Sequence, residues 1–160
     1  MIKKRRHIDY VVFSNPQELL PEEALLLEKA LEATAMAYAP HSQFRVGCAV
    51  LLDDGEIILG NNQENRAYPS GLCAERTALF YIGSMGKADK IRKIAIRARS
   101  ERITIDEPAM PCGACRQVMV EYEKQAGNAF VVLSQGETGP ILRLESVQDS
   151  LIPFSFDIAF

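Results

Sequence analysis

The sequence predicts an α/β fold: a three-layer α-β-α sandwich around a mixed sheet of about five strands. Three observations carry this. Some segments repeat apolar residues at helical spacing and others alternate them. The two kinds follow one another in the order α-β-β-α-β-α-β-β-α. The longest alternating segment is apolar on both faces, as in a sheet covered on both sides.

The first helix opens at Pro21-Glu22-Glu23, proline and acids being favoured in a first turn. Ala24, Leu27, Leu31, Thr34, Ala35 and Tyr38 recur at helical spacing, and Ala39-Pro40 ends it. In residues 44–52 Phe44, Val46, Cys48, Val50 and Leu52 share one face, while Gly47, Ala49 and Leu51 make the other nearly apolar. Asp53-Asp54-Gly55 is a hairpin signal leading into a strand at 56–59.

After a loop at 61–71, GLCAERTALF opens a second helix that ends near residues 83–86. Residues 91–99, with Ile91, Ile94 and Ile96, read as a strand. Polar residues 100–111 connect to a third helix from Cys112 to about Gln125, stopped by Gly127-Asn128. Two short strands follow at 130–133 and 141–144, and Ser146-Val147-Gln148-Asp149 resembles a capping box for a last short helix.

No repeat or linker divides the chain, so residues 21–160 are expected to form one domain, with 1–20 as an extension of unassigned role. At 48% hydrophobic and 24% charged the chain is ordinary globular protein. A net charge of -3 and a pI near 5.5 argue against gripping a phosphate backbone, though not against a small nucleoside or nucleotide ligand. The basic MIKKRRH start reads as a solvated tail. Tyr10-Val11-Val12-Phe13 is too short for a signal peptide or a membrane span, so a cytoplasmic protein is expected.

Of four cysteines, Cys112 and Cys115 sit in the first turn of the third helix and Cys73 opens the second. Crossovers from one sheet bring helix N-termini to one edge, where three thiolates could converge on zinc and leave a fourth position open for water. Cys48 lies mid-strand and reads as core. The two histidines, His7 and His41, stand in no ligand-like motif. Two helix N-termini temper the thiolate charge. Arg76, which from the helix alone would more commonly be a surface salt bridge, could donate hydrogen bonds to the sulfurs. Glu75, otherwise an ordinary first-turn acid, is placed to handle protons beside the metal without binding it, an arrangement that serves hydrolysis.

Cys73-Ala74-Glu75-Arg76 together with Pro111-Cys112-Gly113-Ala114-Cys115-Arg116-Gln117 closely resembles the cytidine deaminase family in its three-cysteine form. A bare CxxC is common elsewhere; the two halves in this order are specific. Residues 37–47 are similar to the family's approach to its first strand, 60–69 (GNNQENRAYP) to its nucleoside loop and 151–156 (LIPFSF) to its tail. The likeness spans roughly residues 22 to 156.

The resemblance implies hydrolysis of cytidine and 2′-deoxycytidine to uridine and 2′-deoxyuridine plus ammonia, as in pyrimidine salvage. It implies one zinc per subunit and no nucleic-acid or membrane partner. Asn62 and Glu64 would bind the ribose hydroxyls, Tyr68 would shape their loop and Phe44 would pack on the base or sugar. Phe156 would stack on the base bound by a neighbour in a homotetramer. His41 departs from the tyrosine common at its position and bears on substrate tolerance. Two rivals stay open: an aminopyrimidine antibiotic deaminase of the blasticidin type, and a zinc-stabilised module without activity.

Overall fold

The computed structural model describes residues 1–156. Six strands, β1 (Val11–Phe13), β2 (Phe44–Leu52), β3 (Ile57–Asn61), β4 (Ile91–Ser100), β5 (Val131–Gln135) and β6 (Ile141–Leu144), form one sheet in the order β1-β6-β5-β4-β2-β3. Four helices accompany them: α1 (Pro21–Ala33), α2 (Ala74–Ser84), α3 (Gly113–Ala126) and α4 (Val147–Ser150). The α/β class and the mixed sheet agree with the sequence, but the expected five strands become six. The extra strand, β1, pairs antiparallel with β6 at the sheet edge. Its Val11 and Val12 are both exposed, so no burial alternation betrays it in the sequence.

The double-sided strand, β2, lies between β4 and β3, and the sheet is covered on both faces. One face carries Cys48, Val50, Leu52, Ile94, Ile96 and Val132 against Ala78, Leu79 and Ile82 of α2 and Met119 and Val120 of α3. The other carries Ala49, Ala95, Leu133 and Ile141 against Leu26, Leu27 and Ala30 of α1. At Gly47 the α1 backbone lies directly on the strand: a Cβ there would stand 1.9 Å from the Ala30 carbonyl oxygen. Only a residue without a side chain lets helix and sheet approach this closely.

The first helix ends earlier than its apolar spacing predicts. Beyond Ala33 the chain tightens into a 3-10 turn at Thr34–Met36, where Thr34 Oγ1 donates to the Leu31 carbonyl at 2.7 Å. Tyr38 then pairs with the 62–64 loop, its N–H donating to Asn62 O and its carbonyl accepting from Glu64 N. That bridge requires extended backbone, so tertiary pairing overrides helical periodicity here. Elsewhere punctuation behaves as read. Gly55 turns the β2–β3 hairpin, Gly127 ends α3 in the left-handed region, and Ser146 Oγ accepts from Asp149 N–H at the start of α4.

Topology positions the site. β2 is antiparallel to both β3 and β4, so β3 and β4 run the same way. α2 follows β3 and α3 follows β4, on the same face of the sheet. Their N-termini therefore open at one edge, beyond the carboxyl ends of those strands, where α/β sheets bind ligands.

A buried charge network joins α1 to the sheet. Glu23, 1% exposed, accepts from Lys93 Nζ at 2.6 Å and from Arg143 Nε at 3.2 Å. Burial, the largest effect, works against ionisation. The hydrogen bonds and charges of Lys93, then Arg143, outweigh it and hold the carboxyl below its ordinary range. Glu23→Ala strands two half-buried cations; because Glu22 still meets Lys93 and Glu145 meets Arg143, the expected loss is about 3 kcal/mol, the low end for a broken buried pair. A depressed folded pKa stabilises above the unfolded carboxyl value of about 4.3, and that stability fades as pH falls through the lower folded value. Urea melts at pH 7 and in acid should therefore show a gap between the two proteins that closes below pH of about 4. A gap independent of pH would sink the charge explanation.

Candidate metal centre and active site

Cys73 is the residue capping α2 and Cys112 the residue capping α3, both in extended backbone; Cys115 lies one turn into α3. Their sulfurs all lie within 4.8 Å of one another, Cys73 to Cys112 at 3.8 Å and Cys112 to Cys115 at 3.5 Å. Thiolates about 2.3 Å from a tetrahedral zinc would stand about 3.8 Å apart. The spacing and the all-thiol chemistry thus fit zinc. Cys48 is fully buried in the core, as expected, and takes no part in the cluster.

Arg76, on the first turn of α2, donates from Nη2 to Cys73 Sγ at 3.7 Å. Cys73 is pushed down to about 5, chiefly by its hydrogen bond with Cys115 and then by Arg76 and Cys112, against burial. Cys115 moves the other way, because it shares its proton with Cys73 and is buried. Arg76 Nε is buried without a hydrogen-bond partner among the described residues. That unmet donor sits beside sulfurs whose full ionisation a divalent cation would bring about.

Glu75 is 4% exposed. Burial, and secondarily the charge on Cys73, push its carboxyl up despite a hydrogen bond from its own backbone N–H. A carboxyl so placed is poised to take and return a proton rather than to stay permanently charged.

Cys73, Glu75, Arg76 and Cys112 line a cavity of about 750 Å³ together with Phe44, Asn62, Glu64 and Tyr68. Eight of the ten residues singled out in the sequence therefore line one cavity, and Cys115 is buried behind it as part of the sulfur cluster. The tenth, Phe156, does not line the cavity of its own chain and is 66% exposed.

The polar loop is already ordered by the protein. Asn62 Oδ1 accepts from Val46 N at 2.8 Å and its Nδ2 donates to Phe44 O at 2.9 Å. Glu64 accepts from the His41 N–H at 2.8 Å, the Ser42 N–H at 3.3 Å and the Ser42 hydroxyl. Burial opposes its ionisation, but those hydrogen bonds, Ser42's hydroxyl foremost, hold the carboxyl below its ordinary range. The turn they fix contains Gln43 at φ 57°, a strained value for a side-chain-bearing residue, with Arg102 Nε donating to Gln43 Oε1 at 2.8 Å. The His41 ring meets Tyr68 edge-on at 6.2 Å between centroids, at the cavity wall.

Sequence reasoning missed part of the wall. Ala109 and Met110, from a stretch read only as a connector, line the cavity together with Val46 and Ile96. Ser134 Oγ donates to Ala109 O at 2.9 Å, and Glu137 N–H to Ile105 O at 2.7 Å, docking this stretch on β5 and its turn. The one available signal was the pair of prolines, Pro108 and Pro111, which stiffens the chain just before Cys112.

The comparisons with known proteins agree with this geometry. A family model for the cytidine and deoxycytidylate deaminase zinc-binding region matches residues 21–131. The cytidine deaminase of Halalkalibacterium halodurans is 46% identical over 100 residues, 62% of this chain and 71% of the relative. The crystal structure of cytidine deaminase from Burkholderia pseudomallei superposes with a TM-score of 0.71 at 38% identity, covering 82% of this chain and 97% of the other. That of Mycobacterium tuberculosis gives 0.61 at 31% identity, with 84% and 96% covered. No helix among the described residues is long and apolar enough to cross a membrane.

Proposed function

The chain belongs to the cytidine and deoxycytidylate deaminase family, and from that premise we propose that it hydrolyses cytidine and 2′-deoxycytidine to uridine and 2′-deoxyuridine, releasing ammonia. The observation that carries this is the juxtaposition of three converging sulfurs with a buried carboxyl at a cavity of about 750 Å³, roomy enough for a nucleoside. Cys73, Cys112 and Cys115 would hold one zinc ion per subunit. When bound, zinc supplies the positive charge that lets water ionise near neutral pH and serve as nucleophile.

The residues divide the remaining work. Glu75 takes a proton from the water, delivers it to the pyrimidine N3 as the C4–O bond forms, and carries the second to the 4-amino group, which leaves as ammonia. Arg76 spreads the charge of the thiolates, keeping three anionic ligands from quenching the metal's electrophilicity. Val46, Ile96 and Met110 offer an apolar wall to the base, and Phe44 packs where base and sugar meet.

Asn62 and Glu64 take the ribose hydroxyls. Their hydrogen bonds to the protein hold them in place yet leave Asn62 one amide hydrogen and Glu64 about one lone pair, so they bind without a fresh ordering cost. A carboxylate there accepts from hydroxyls and repels a phosphate, which favours nucleoside over nucleotide. Tyr68 and His41 form the rim. Phe156 reaches the cavity of a second copy in a homotetramer, and a cytoplasmic role in pyrimidine salvage follows from the substrate.

Incubation with cytidine, 2′-deoxycytidine and an aminopyrimidine nucleoside antibiotic, with ammonia and ultraviolet absorbance followed with and without a chelator, tests the reading. Chelator-sensitive ammonia release from both nucleosides is expected. Release from the antibiotic alone would replace the substrate, and a chelator that unfolds the protein with no deamination of any pyrimidine would leave only a structural zinc.

A further inference from the structure

The aromatic end of the described chain is held by its backbone and not by its rings. Gln117, two residues after Cys115 on α3, meets both polar backbone atoms of Phe156: its Nε2 donates to the carbonyl at 3.0 Å and its Oε1 accepts the N–H at 3.0 Å. Its neighbour Arg116 donates from Nη1 to the Leu151 carbonyl at 3.0 Å and from Nε to the Pro111 carbonyl at 2.8 Å. From the N-terminal stretch, Arg6 reaches the Pro153 carbonyl and the Asp149 carboxylate. Between these anchors Phe154 and Phe156 are 92% and 66% exposed.

A primary amide that both donates to and accepts from one residue copies the exchange made by hydrogen-bonded strand neighbours. It fixes where that residue sits along the chain and which way it faces. Rings left in water have no packing of their own to orient them, so the backbone clip is what sets their direction. The clip stands on the helix whose first turn supplies two of the three sulfurs.

We propose that Gln117 is a positioning residue for substrate binding: it registers the Phe156 backbone against α3 so that the ring is presented ready-aligned to the base in a second copy's cavity. This rests on the reading of Phe156 given above. Gln117 acts through Phe156 and touches neither base nor metal. Arg116 and Arg6 steady the segment behind it, Arg6 less, because its ion pair with Asp149 is exposed on both sides.

The test uses the zinc-loaded full chain with Gln117→Leu, Gln117→Glu, Phe156→Ala and the Gln117→Leu/Phe156→Ala double variant. Hydrogen exchange at the Phe156 amide and KM and kcat for cytidine are measured in each, with zinc content and Tm as checks on folding. Gln117→Leu should speed Phe156 exchange about tenfold or more, the scale of one to two lost hydrogen bonds. KM should rise about tenfold with kcat within about twofold, and should rise no further in the Phe156→Ala background. Gln117→Glu, which keeps the acceptor and loses the donor, should fall between. Unchanged Phe156 exchange, or KM effects that simply add in the double variant, overturns the positioning role while leaving Phe156 itself in place. Faster exchange with KM unmoved in Phe156→Ala shows instead that the underlying reading of Phe156 has failed, and the proposal with it.

Discussion

Glu75→Gln should lower kcat for cytidine by at least about 10²–10⁴-fold, the usual worth of general acid–base catalysis, while zinc content stays at the wild-type level. The amide fills the same space but can neither accept the water's proton nor deliver one to N3 and the leaving amine. Stability should not fall. Burial and the neighbouring Cys73 already work against the ionised carboxylate, so a neutral isostere relieves a cost rather than adding one. A variant more thermostable than wild type but nearly inactive is thus the expected signature. Near-normal turnover with zinc in place would show that another group moves the protons.

The second large effect concerns the sulfurs. Cys115→Ala removes a fully buried sulfur of the three-cysteine cluster, at a place with no solvent to substitute for it. Metal affinity should drop well beyond the 10–100-fold lost when only a supporting hydrogen bond is removed, and deamination should fall in proportion to bound zinc. Cys48→Ala is the control. That thiol is equally buried but lies in the core among Val50, Ile58 and Ile96, so its loss should cost only about 1 kcal/mol of stability and leave zinc untouched. Equal zinc loss in both variants would mean that the metal is held elsewhere, or that folding rather than coordination had been disturbed.

Much of the site was legible because its chemistry is local. Cys112 and Cys115 are one helical turn apart, and Cys73, Glu75 and Arg76 fall within four consecutive residues. Spacing on a single helix is enough to place each group relative to its immediate neighbours. What joins the two helices is not local, yet the alternation of strands and helices already implied that both would open at one sheet edge. The order of elements came through for the same reason, since hydrophobic period depends only on each segment.

The failures share a cause. β1 is invisible because a three-residue edge strand with two exposed valines and one half-buried phenylalanine is too short to show an alternation, and only β6 makes it a strand. α1 stops at Ala33 because Tyr38 is drawn into pairing with residues far along the chain. The Ala109–Met110 wall escaped notice because its role depends on β5 and the turn beyond it. Phe156 could be singled out by resemblance, but nothing in its neighbours in sequence points to the amide of Gln117 that holds it.

The sequence by itself determined the α/β class, the order of its main elements, the donor set for a metal and the carboxyl beside it, because periodicity and residue chemistry act over a few positions. Tertiary structure alone decided the sixth strand, the end of the first helix, the convergence of the sulfurs to contact distance, the raised pKa of Glu75 and the clip on Phe156. Each of these depends on burial or on a hydrogen bond between segments that meet only once the sheet has assembled.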